Sequence, residues 1–188
     1  MSEPLDLTVI ARRLREAPDP PGPDPTAAVA AILRPGDGLE ILFIKRAEHE
    51  GDPWSGHMAF PGGRRDPGDT TLVHTARRET LEEIGLDLDG HGEMLGMLDD
   101  VPTHTTGLVV RPFVWAVQEV PGLQPNEEVA AVEWVALETL MSGARDTTFP
   151  LTWKGQHHRF PAFEVESGIV WGLTYRMLHL LFETLRAR

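Results

Sequence analysis

The first periodic pattern in the chain is that of a short amphipathic helix. Its apolar side chains recur at the spacing i, i+3, i+4 and i+7, which places them on one helical face: Leu7, Ile10, Ala11 and Leu14. Asp6 precedes them and is a suitable N-cap. A stretch of repeated prolines, PDPPGPDP, follows and cannot continue a helix. The pattern predicts a helical arm and proline-rich linker over residues 1–25 and one domain over residues 26–188.

Strand-like runs dominate the segment after the linker. Residues 27–33 and 39–45 are rich in Val, Ile, Leu and Phe, and the turn-forming segment RPGDG lies between them. This arrangement predicts a β-hairpin. Further apolar runs at residues 94–98, 108–117 and 129–135 predict additional strands, because loops containing proline and glycine divide them.

Two longer segments have the periodicity of helices. The pattern is helical from Thr70 to Ile84, and Gly85 is a natural helix stop. An apolar stripe near the end of the chain predicts a closing helix: Val170, Leu173, Met177, Leu178, Leu181 and Leu185. Residues 143–168 show no pattern that assigns them to a helix or a strand. Strands mixed with a few helices predict a mixed α/β fold.

The charge balance and the absence of cysteine exclude several classes of function. The chain has 188 residues, and its 17 Lys+Arg against 29 Asp+Glu give a net charge of −12. Nucleic acid and anionic membrane surfaces both require a positive field, so neither is an expected partner. With no cysteine, disulfides, thiolate metal sites and cysteine nucleophiles are excluded. The start of the chain lacks the pattern of a secretory signal, so we expect a soluble, cytoplasmic protein.

Three acidic residues on the helix of residues 70–84 form the most informative cluster. Glu79, Glu82 and Glu83 are spaced i, i+3 and i+4, which brings all three to one side of the helix. Like charges at this spacing repel, and a divalent cation would relieve the repulsion with oxygen ligands. The alternative is a solvated acidic helix face. The double glycine Gly62–Gly63 before the helix favours the cation, because a glycine backbone can approach a ligand closely.

The segment containing these glutamates resembles the Nudix box, whose pattern is Gly-x5-Glu-x7-Arg-Glu-U-x-Glu-Glu-x-Gly-U with U aliphatic. Gly63 matches its glycine, and Asp69 stands in for its first glutamate. The remaining matches are Arg78, Glu79, Glu82, Glu83, Gly85 and Leu86. The chain departs from the pattern in three ways: the first acid is aspartate, eight residues instead of seven precede Arg78, and Thr80 replaces an aliphatic residue.

Resemblance to the Nudix hydrolase superfamily implies a fold, a cofactor and a metal site. The implied fold is a mixed β-sheet sandwiched between helices, an α/β/α sandwich. The implied cofactor is Mg²⁺ or Mn²⁺, with Glu79 and Glu83 as main ligands. Glu82 is implied as a further ligand or as the group that orients the attacking water. The backbone carbonyl of Gly63 is an additional candidate ligand, and Arg78 is expected to orient the glutamates through a salt bridge.

The resemblance also suggests a general base and residues that bind the substrate. Glu128 precedes the strand that ends near Trp134 and fits the position of a general base in some relatives, with Glu127 as the second choice. Both are also compatible with exposed loop acids. Three arginines flank the metal loop and are candidates to bind substrate phosphates, with solvated surface arginines as the alternative: Arg46, Arg64 and Arg65.

Segments outside the box resemble the coenzyme A pyrophosphatase branch of the superfamily. An upstream signature of that branch begins here at Ile41–Ala47 and ends at Phe60–Gly63, although its middle arginine has no counterpart. The implied activity is hydrolysis of the pyrophosphate bond in coenzyme A or acyl-coenzyme A, a hydrolase acting on acid anhydrides. Other nucleotides, such as ADP-ribose, a dinucleotide or a nucleoside triphosphate, are the alternative substrates. A non-catalytic nucleotide-binding module is a third hypothesis.

Two aromatic residues and the helical arm each have more than one interpretation. Trp54 and Phe149 are candidates for stacking on a base or lining an acyl pocket, and core packing is the alternative for both. The helical arm of residues 1–25 has two interpretations, an arm that packs on its own domain or a contact in a homodimer. The expected partner is a small nucleotide substrate.

Overall fold

Helices and groups of consecutive strands follow one another along the chain. A computed structural model describes residues 6–15, 25–50, 55–103, 107–153 and 155–186. The helices are α1 (Leu7–Arg15), α2 (Leu72–Ile84), α3 (Leu88–His91), α4 (Leu137–Met141) and α5 (Gly172–Arg186). The strands are β1 (Ala27–Gly36), β2 (Gly38–Arg46), β3 (Met58–Ala59), β4 (Gly62–Arg64), β5 (Gly92–Met97), β6 (Val101–Pro102), β7 (Val109–Val117), β8 (Val129–Ala136), β9 (Asp146–Trp153), β10 (Gln156–Val165) and β11 (Gly168–Trp171).

The main sheet of the described chain is mixed and has eight strands. Its central path runs β3-β2-β1-β7-β5, while β8 pairs with β2, β4 with β1 and β6 with β7. β1 and β2 form the predicted antiparallel hairpin, which closes at Gly36 opposite Gly38. β1 and β7 run parallel, from Ala27 opposite Val110 to Leu33 opposite Ala116. The hairpin prediction is confirmed, and the turn between its strands is tighter than RPGDG suggests.

Helices cover both faces of this sheet, and β1 is therefore buried on both sides. Ala28 and Ile32 belong to a core that also contains Ile84 of α2. Their neighbours Val29 and Leu33 belong to a second core that also contains α5 residues. Successive strand residues point to opposite faces, so one buried strand can supply both cores. The predicted sandwich of helix, sheet and helix is confirmed.

The amphipathic helix near the start of the chain is α1, and it packs on the α5 side of the sheet. Asp6 caps it, since the backbone N–H of Val9 donates to Asp6 Oδ1 over 2.8 Å. Ile10 and Leu14 are buried in the same core as α5. The described part of the arm therefore contributes to the core of this chain. The described residues do not include 16–24, which contain most of the proline-rich linker, or Trp54.

A second sheet occupies the segment that the sequence left unassigned. β9, β10 and β11 form an antiparallel three-stranded sheet in the order β11-β10-β9. Many side chains of β9 and β10 are exposed, so these strands lack the apolar alternation by which a strand is recognised. β11 also corrects the predicted closing helix. Val170 lies in this strand, and α5 begins only at Gly172.

No helix among residues 6–15, 25–50, 55–103, 107–153 and 155–186 is both long enough and apolar enough to cross a membrane.

Candidate functional site

Helix α2 holds the predicted acidic residues between two well-formed caps. At its start, the hydroxyl of Thr71 accepts a hydrogen bond from the N–H of His74, 3.1 Å away. At its end, Gly85 is left-handed with φ 69°, and its N–H donates to the carbonyl of Leu81. A left-handed C-cap favours glycine because other residues are strained there. The predicted helix and its stop at Gly85 are confirmed, with the start two residues later than expected.

The double glycine before α2 lies against both the sheet and the helix. In β4, Gly62 pairs with Val29 and Gly63 with Ala28. A Cβ atom at Gly62 would lie 2.3 Å from the carbonyl oxygen of Ala28, and φ there is 147°. A Cβ atom at Gly63 would lie 2.5 Å from Glu79 Oε1. Only glycine therefore lets this loop run directly over the Glu79 carboxylate.

Glu83 is the buried member of the carboxylate cluster (Glu79, Glu82 and Glu83). Its side chain is 4% exposed, and Oε2 accepts the N–H of Gly62 over 2.9 Å. Burial raises its pKa to about 8, the Gly62 hydrogen bond opposes this, and the nearby charges of Glu79 and Glu128 raise it further. The charge of Arg46 acts in the opposite direction. Burial and the neighbouring negative charges therefore disfavour the charged form of this carboxyl group, and a nearby cation would favour it.

Glu79 shares this environment but is also paired with Arg78. Burial raises the pKa of Glu79, the Arg78 guanidinium lowers it, and the charges of Glu82 and Glu128 raise it again. Arg78 Nη1 lies 3.1 Å from Glu79 Oε1. The structure thus brings Glu79, Glu83 and Gly63 together as the sequence predicts.

Arg78 is the centre of an ion-pair network whose main partner is Asp69. Its Nε and Nη2 donate to the two carboxylate oxygens of Asp69 over 3.0 and 2.9 Å. Its Nη1 donates to Glu82 Oε2 over 3.0 Å, and its Nη2 also reaches the carbonyl of Arg64. The same guanidinium therefore contacts the glycine loop and two glutamates. This placement suits the predicted orienting role.

Asp69, the main partner of Arg78, is itself buried. The Thr75 hydroxyl and the N–H of Asp66 each donate to Asp69 Oδ2 over 2.9 Å. The hydrogen bonds from Arg78 hold the pKa of this carboxyl well below its usual range. With its oxygens used in this way, Asp69 positions Arg78. Thr75 is a supporting residue that the sequence pattern did not reveal.

Thr80 and Glu82 lie in opposite surroundings on α2, one buried and one exposed. Thr80, which stands where an aliphatic residue is usual, is fully buried, and its hydroxyl donates to the carbonyl of Ala76 over 2.7 Å. Its methyl group can thus face the core without leaving an unpaired hydroxyl. Glu82 is 54% exposed and turned toward Arg78, so it lies at the rim of the site.

Glu128 is placed beside the carboxylate cluster by a loop that closes the end of α2. The N–H groups of Gln124 and Asn126 donate to the carbonyls of Ile84 and Glu83. The side chain of Asn126 accepts the N–H of Glu128, and the Glu128 carbonyl accepts the N–H of Ala47 over 2.7 Å. The charge of Glu128 contributes to the raised pKa of Glu83, so Glu128 lies near the carboxylate cluster, and its role as a base stays a prediction. Asn126 is a positioning residue that the sequence analysis did not identify.

The three predicted phosphate-binding arginines lie in different surroundings. Arg46 ends β2, between β8 and His57, and its charge reaches Glu83. Arg64 is exposed beside the glycine loop. Arg65 instead donates to the carbonyls of Asp69 and Thr70 over 3.2 Å, so its guanidinium holds the loop backbone. Arg46 is therefore the best placed of the three for a substrate phosphate.

The oxygen donors of this site fit a hard divalent cation. The described residues contain no group of three His, Asp or Glu side chains arranged as a complete metal site, and Glu82 is turned to Arg78. Mg²⁺, however, is commonly held by only one or two carboxylates and keeps several waters. Glu79 and Glu83 lie one turn apart, and burial raises the pKa of each, which disfavours their charged forms unless a further positive charge is nearby. Such a pair suits a cation, and the Gly63 carbonyl stays a predicted further ligand.

An alanine scan of the glycine loop should separate folding from site geometry. We expect Gly63→Ala to fold and to lower the hydrolysis that the resemblance implies at least about tenfold, because its Cβ displaces the Glu79 carboxylate. Gly62→Ala should lower the free energy of unfolding by several kcal/mol, since its Cβ meets backbone. Thermal melts and turnover assays measure both effects. Gly122→Ala is the matched control, with open space around its Cβ. Full activity in Gly63→Ala would contradict this geometry.

Comparison with known proteins gives a consistent family match. The model of the NUDIX domain matches residues 24–154. A Yersinia pestis protein called an uncharacterized Nudix hydrolase, NudL, is 32% identical over 154 residues, which cover 81% of this chain and 75% of that protein. An uncharacterized protein of Schizosaccharomyces pombe is 41% identical over 108 residues, 54% of this chain, and the chain spans only 33% of its length. The crystal structure of a Caenorhabditis elegans Ap4A hydrolase binary complex has a TM-score of 0.52 and 22% identity, and the match covers 62% of this chain and 83% of that one. That likeness supports the fold.

Proposed function

Because the chain belongs to the NUDIX domain family, we propose that it hydrolyses a pyrophosphate bond in a nucleoside diphosphate linked to another moiety, with a divalent cation as cofactor. The observation that carries this proposal is the buried Glu83, held against Gly62 and one helical turn from Glu79. Holding one buried and one half-buried carboxylate so close together in charged form is costly to the fold unless a cation binds them.

The proposed cation ligands are Glu79 and Glu83, with Gly63 and Glu82 as further donors. Mg²⁺ or Mn²⁺ bound there would neutralise charge on phosphate oxygens and lower the pKa of a water molecule. Arg78 keeps Glu79 oriented, and its own position is fixed by Asp69. Glu83 and the second carboxylate oxygen of Glu79 would then bind the cation while Asp69 keeps Arg78 in place.

Glu128 is the proposed general base, and Arg46 the proposed phosphate ligand. The Glu128 carboxylate would take a proton from the attacking water as its oxygen bonds to phosphorus. The bond between that phosphorus and the bridging oxygen then breaks, and the second phosphate leaves with the bridging oxygen. The charge of Arg46 reaches Glu83, and its guanidinium would donate hydrogen bonds to a phosphate oxygen and stabilise the added negative charge.

Coenzyme A or acyl-coenzyme A is the proposed substrate. The support is the resemblance of Ile41–Ala47 and Phe60–Gly63 to the upstream signature of the coenzyme A pyrophosphatases. The products would be a phosphopantetheine, free or acylated, and adenosine 3′,5′-bisphosphate.

A substrate panel with product masses tests this proposal. The purified protein would be assayed with Mg²⁺ and with Mn²⁺ on coenzyme A, acetyl-coenzyme A, ADP-ribose, NADH, diadenosine tetraphosphate and ATP. We expect coenzyme A compounds to be cleaved fastest. Preference for another nucleotide would retain pyrophosphate hydrolysis and reject coenzyme A. Absence of product from the whole panel with both metals would contradict the activity.

Replacing the arginines one at a time should rank their roles. We expect Arg46→Ala to raise KM for the best substrate about 10- to 100-fold, the loss typical of a hydrogen bond to a charged group. Arg65→Ala should raise KM less than about threefold, because its guanidinium is bonded to loop carbonyls. Steady-state kinetics measures both, with Arg46→Lys expected between them. Equal KM values for Arg46→Ala and the unaltered protein would exclude Arg46 as the phosphate ligand.

A further inference from the structure

The second sheet carries a group of aromatic rings that the proposed chemistry does not use. Phe149 of β9 and Trp171 of β11 stack with ring centroids 4.2 Å apart and an interplanar angle of 17°. Phe160 of β10 lies 5.8 Å from Trp171. His57 meets Phe149 and Trp171 edge-on, with centroids 5.6 and 5.0 Å away. These four residues are called the aromatic shelf here.

The aromatic shelf stands on the side of the second sheet that faces away from the core. Phe163 of β10 pairs with Val170 of β11, and both are buried in the core. The next pair along the same strands is Ala162 opposite Trp171. Successive pairs point to opposite faces, so Trp171 points away from Phe163 and Val170. Phe160 is 36% exposed, and the other three shelf residues are half-buried.

The aromatic shelf lies next to the proposed phosphate ligand. The N–H of Arg46 donates to the carbonyl of His57 over 3.0 Å, so these two residues lie directly opposite each other. His57 directly precedes β3, and the chain runs from β3 to Gly62, whose N–H donates to Glu83 Oε2 over 2.9 Å. The Arg46–His57 pair therefore lies between the carboxylate cluster and the other shelf rings. Because His57 belongs to the aromatic shelf, the shelf begins one backbone hydrogen bond away from Arg46.

We propose that the aromatic shelf binds the planar base of a nucleotide substrate by stacking. This inference rests on the proposed function and adds the part of the site that holds the nucleoside. Stacking on aromatic side chains tolerates every base, because each base has a π-face. Phe149 and Trp171 already cover one face of each other, so a base would stack on an outer face of this ring pair, beside the exposed and tilted Phe160. An acyl chain would gain more from an enclosed apolar pocket than from an open face.

Binding of ADP and of inorganic pyrophosphate, each with Mg²⁺, tests this assignment by calorimetry. Phe149→Leu keeps an apolar side chain but loses the ring, and Phe149→Trp keeps a ring. We expect Phe149→Leu to raise the Kd for ADP about tenfold, the effect of removing an aromatic platform from one base. The Kd for pyrophosphate should change less than about twofold, and Phe149→Trp should restore ADP binding. Met94→Ala, an exposed apolar residue of the main sheet, is the control.

Kinetics and thermal melts complete the test and separate it from the proposed function. On the best substrate, Phe149→Leu should raise KM with kcat nearly unchanged, because a base contact far from the reacting phosphorus does not act on the chemical step. An unchanged Kd for ADP, no ADP binding by the unaltered protein, or parallel losses for ADP and pyrophosphate would each overturn the shelf assignment. If the protein hydrolyses nothing in the panel but loses ADP affinity in Phe149→Leu, the shelf stands and the hydrolase proposal fails. If Phe149→Leu unfolds, Trp171→Phe must show a smaller ADP effect than Trp171→Leu, and equal effects would count against stacking.

Discussion

Glu83→Gln is expected to lower hydrolysis by about 10²–10³-fold or more while the protein stays folded. Glutamine has the same shape and can still accept the N–H of Gly62, so the loop should keep its position. It lacks the negative charge, however, and an amide is a much weaker ligand for a hard cation than a carboxylate. The measurement is turnover of the best substrate at saturating Mg²⁺, together with the thermal melting temperature.

Two further measurements make the Glu83 result specific. Glu183→Gln changes an exposed glutamate on α5 and should retain full turnover. Glu83→Gln should also require more Mg²⁺ for half-maximal activity if any turnover remains. Near-normal turnover in Glu83→Gln at ordinary Mg²⁺ would remove Glu83 from the proposed metal ligands, and a large fall in melting temperature would show that its role is structural.

Asp69→Asn is expected to give the largest loss of stability among substitutions that keep side-chain size, about 3 kcal/mol in the free energy of unfolding. The buried Asp69 carboxylate accepts hydrogen bonds from Nε and Nη2 of Arg78. Asparagine would leave the Arg78 charge without its main partner. The loss should be at the lower end of the range for broken buried ion pairs, because the Arg78 side chain is 24% exposed. Urea unfolding measures it.

The pH dependence of the same variant gives an independent check. The pKa of Asp69 is held below the ordinary aspartate value of 3.8. Its contribution to stability is therefore present above pH 3.8 and is lost as the pH falls toward the lower, folded-state pKa. The difference between Asp69→Asn and the unaltered protein should shrink in acid. A difference that is constant from neutral pH into strong acid would contradict the ion-pair explanation.

A control for this experiment exists on the surface of α2. Arg77 forms a salt bridge with Asp89, whose side chain is 59% exposed. Exposed pairs contribute about 0–1 kcal/mol. Asp89→Asn should therefore cost much less than Asp69→Asn, and similar costs for the two variants would mean that burial of Asp69 is not the cause.

The site helix could be predicted from sequence because its signals are local. The i, i+3 and i+4 spacing of the glutamates, the stop at Gly85 and the double glycine are all contained in one short segment. The bidentate contact of Asp69 with Arg78 is different, since it depends on how the loop before α2 folds back. Glu128 likewise reaches the site only because residues 124–126 close the end of α2.

The second sheet could not be predicted, for a related reason. β9 and β10 are stabilised by pairing with each other from Asp146 opposite Phe163 to Trp153 opposite Gln156. Their exposed side chains leave no apolar alternation in the sequence. The proximity of Phe149 and Trp171 is a result of this pairing. The position of Phe149 in the sequence left three alternatives: stacking on a base, lining an acyl pocket or core packing. The aromatic shelf is thus a product of the fold.

Hydrolysis of the best panel substrate in ¹⁸O-labelled water, with Mg²⁺ and then with excess chelator, tests the central claim most directly. The account predicts cleavage at the pyrophosphate bond, one ¹⁸O atom in one of the two phosphate products, and loss of turnover when the cation is removed. Glu83→Gln should behave like the chelated protein. Cleavage at another bond, products without label, or full turnover in the presence of chelator would contradict a metal-dependent pyrophosphate hydrolase.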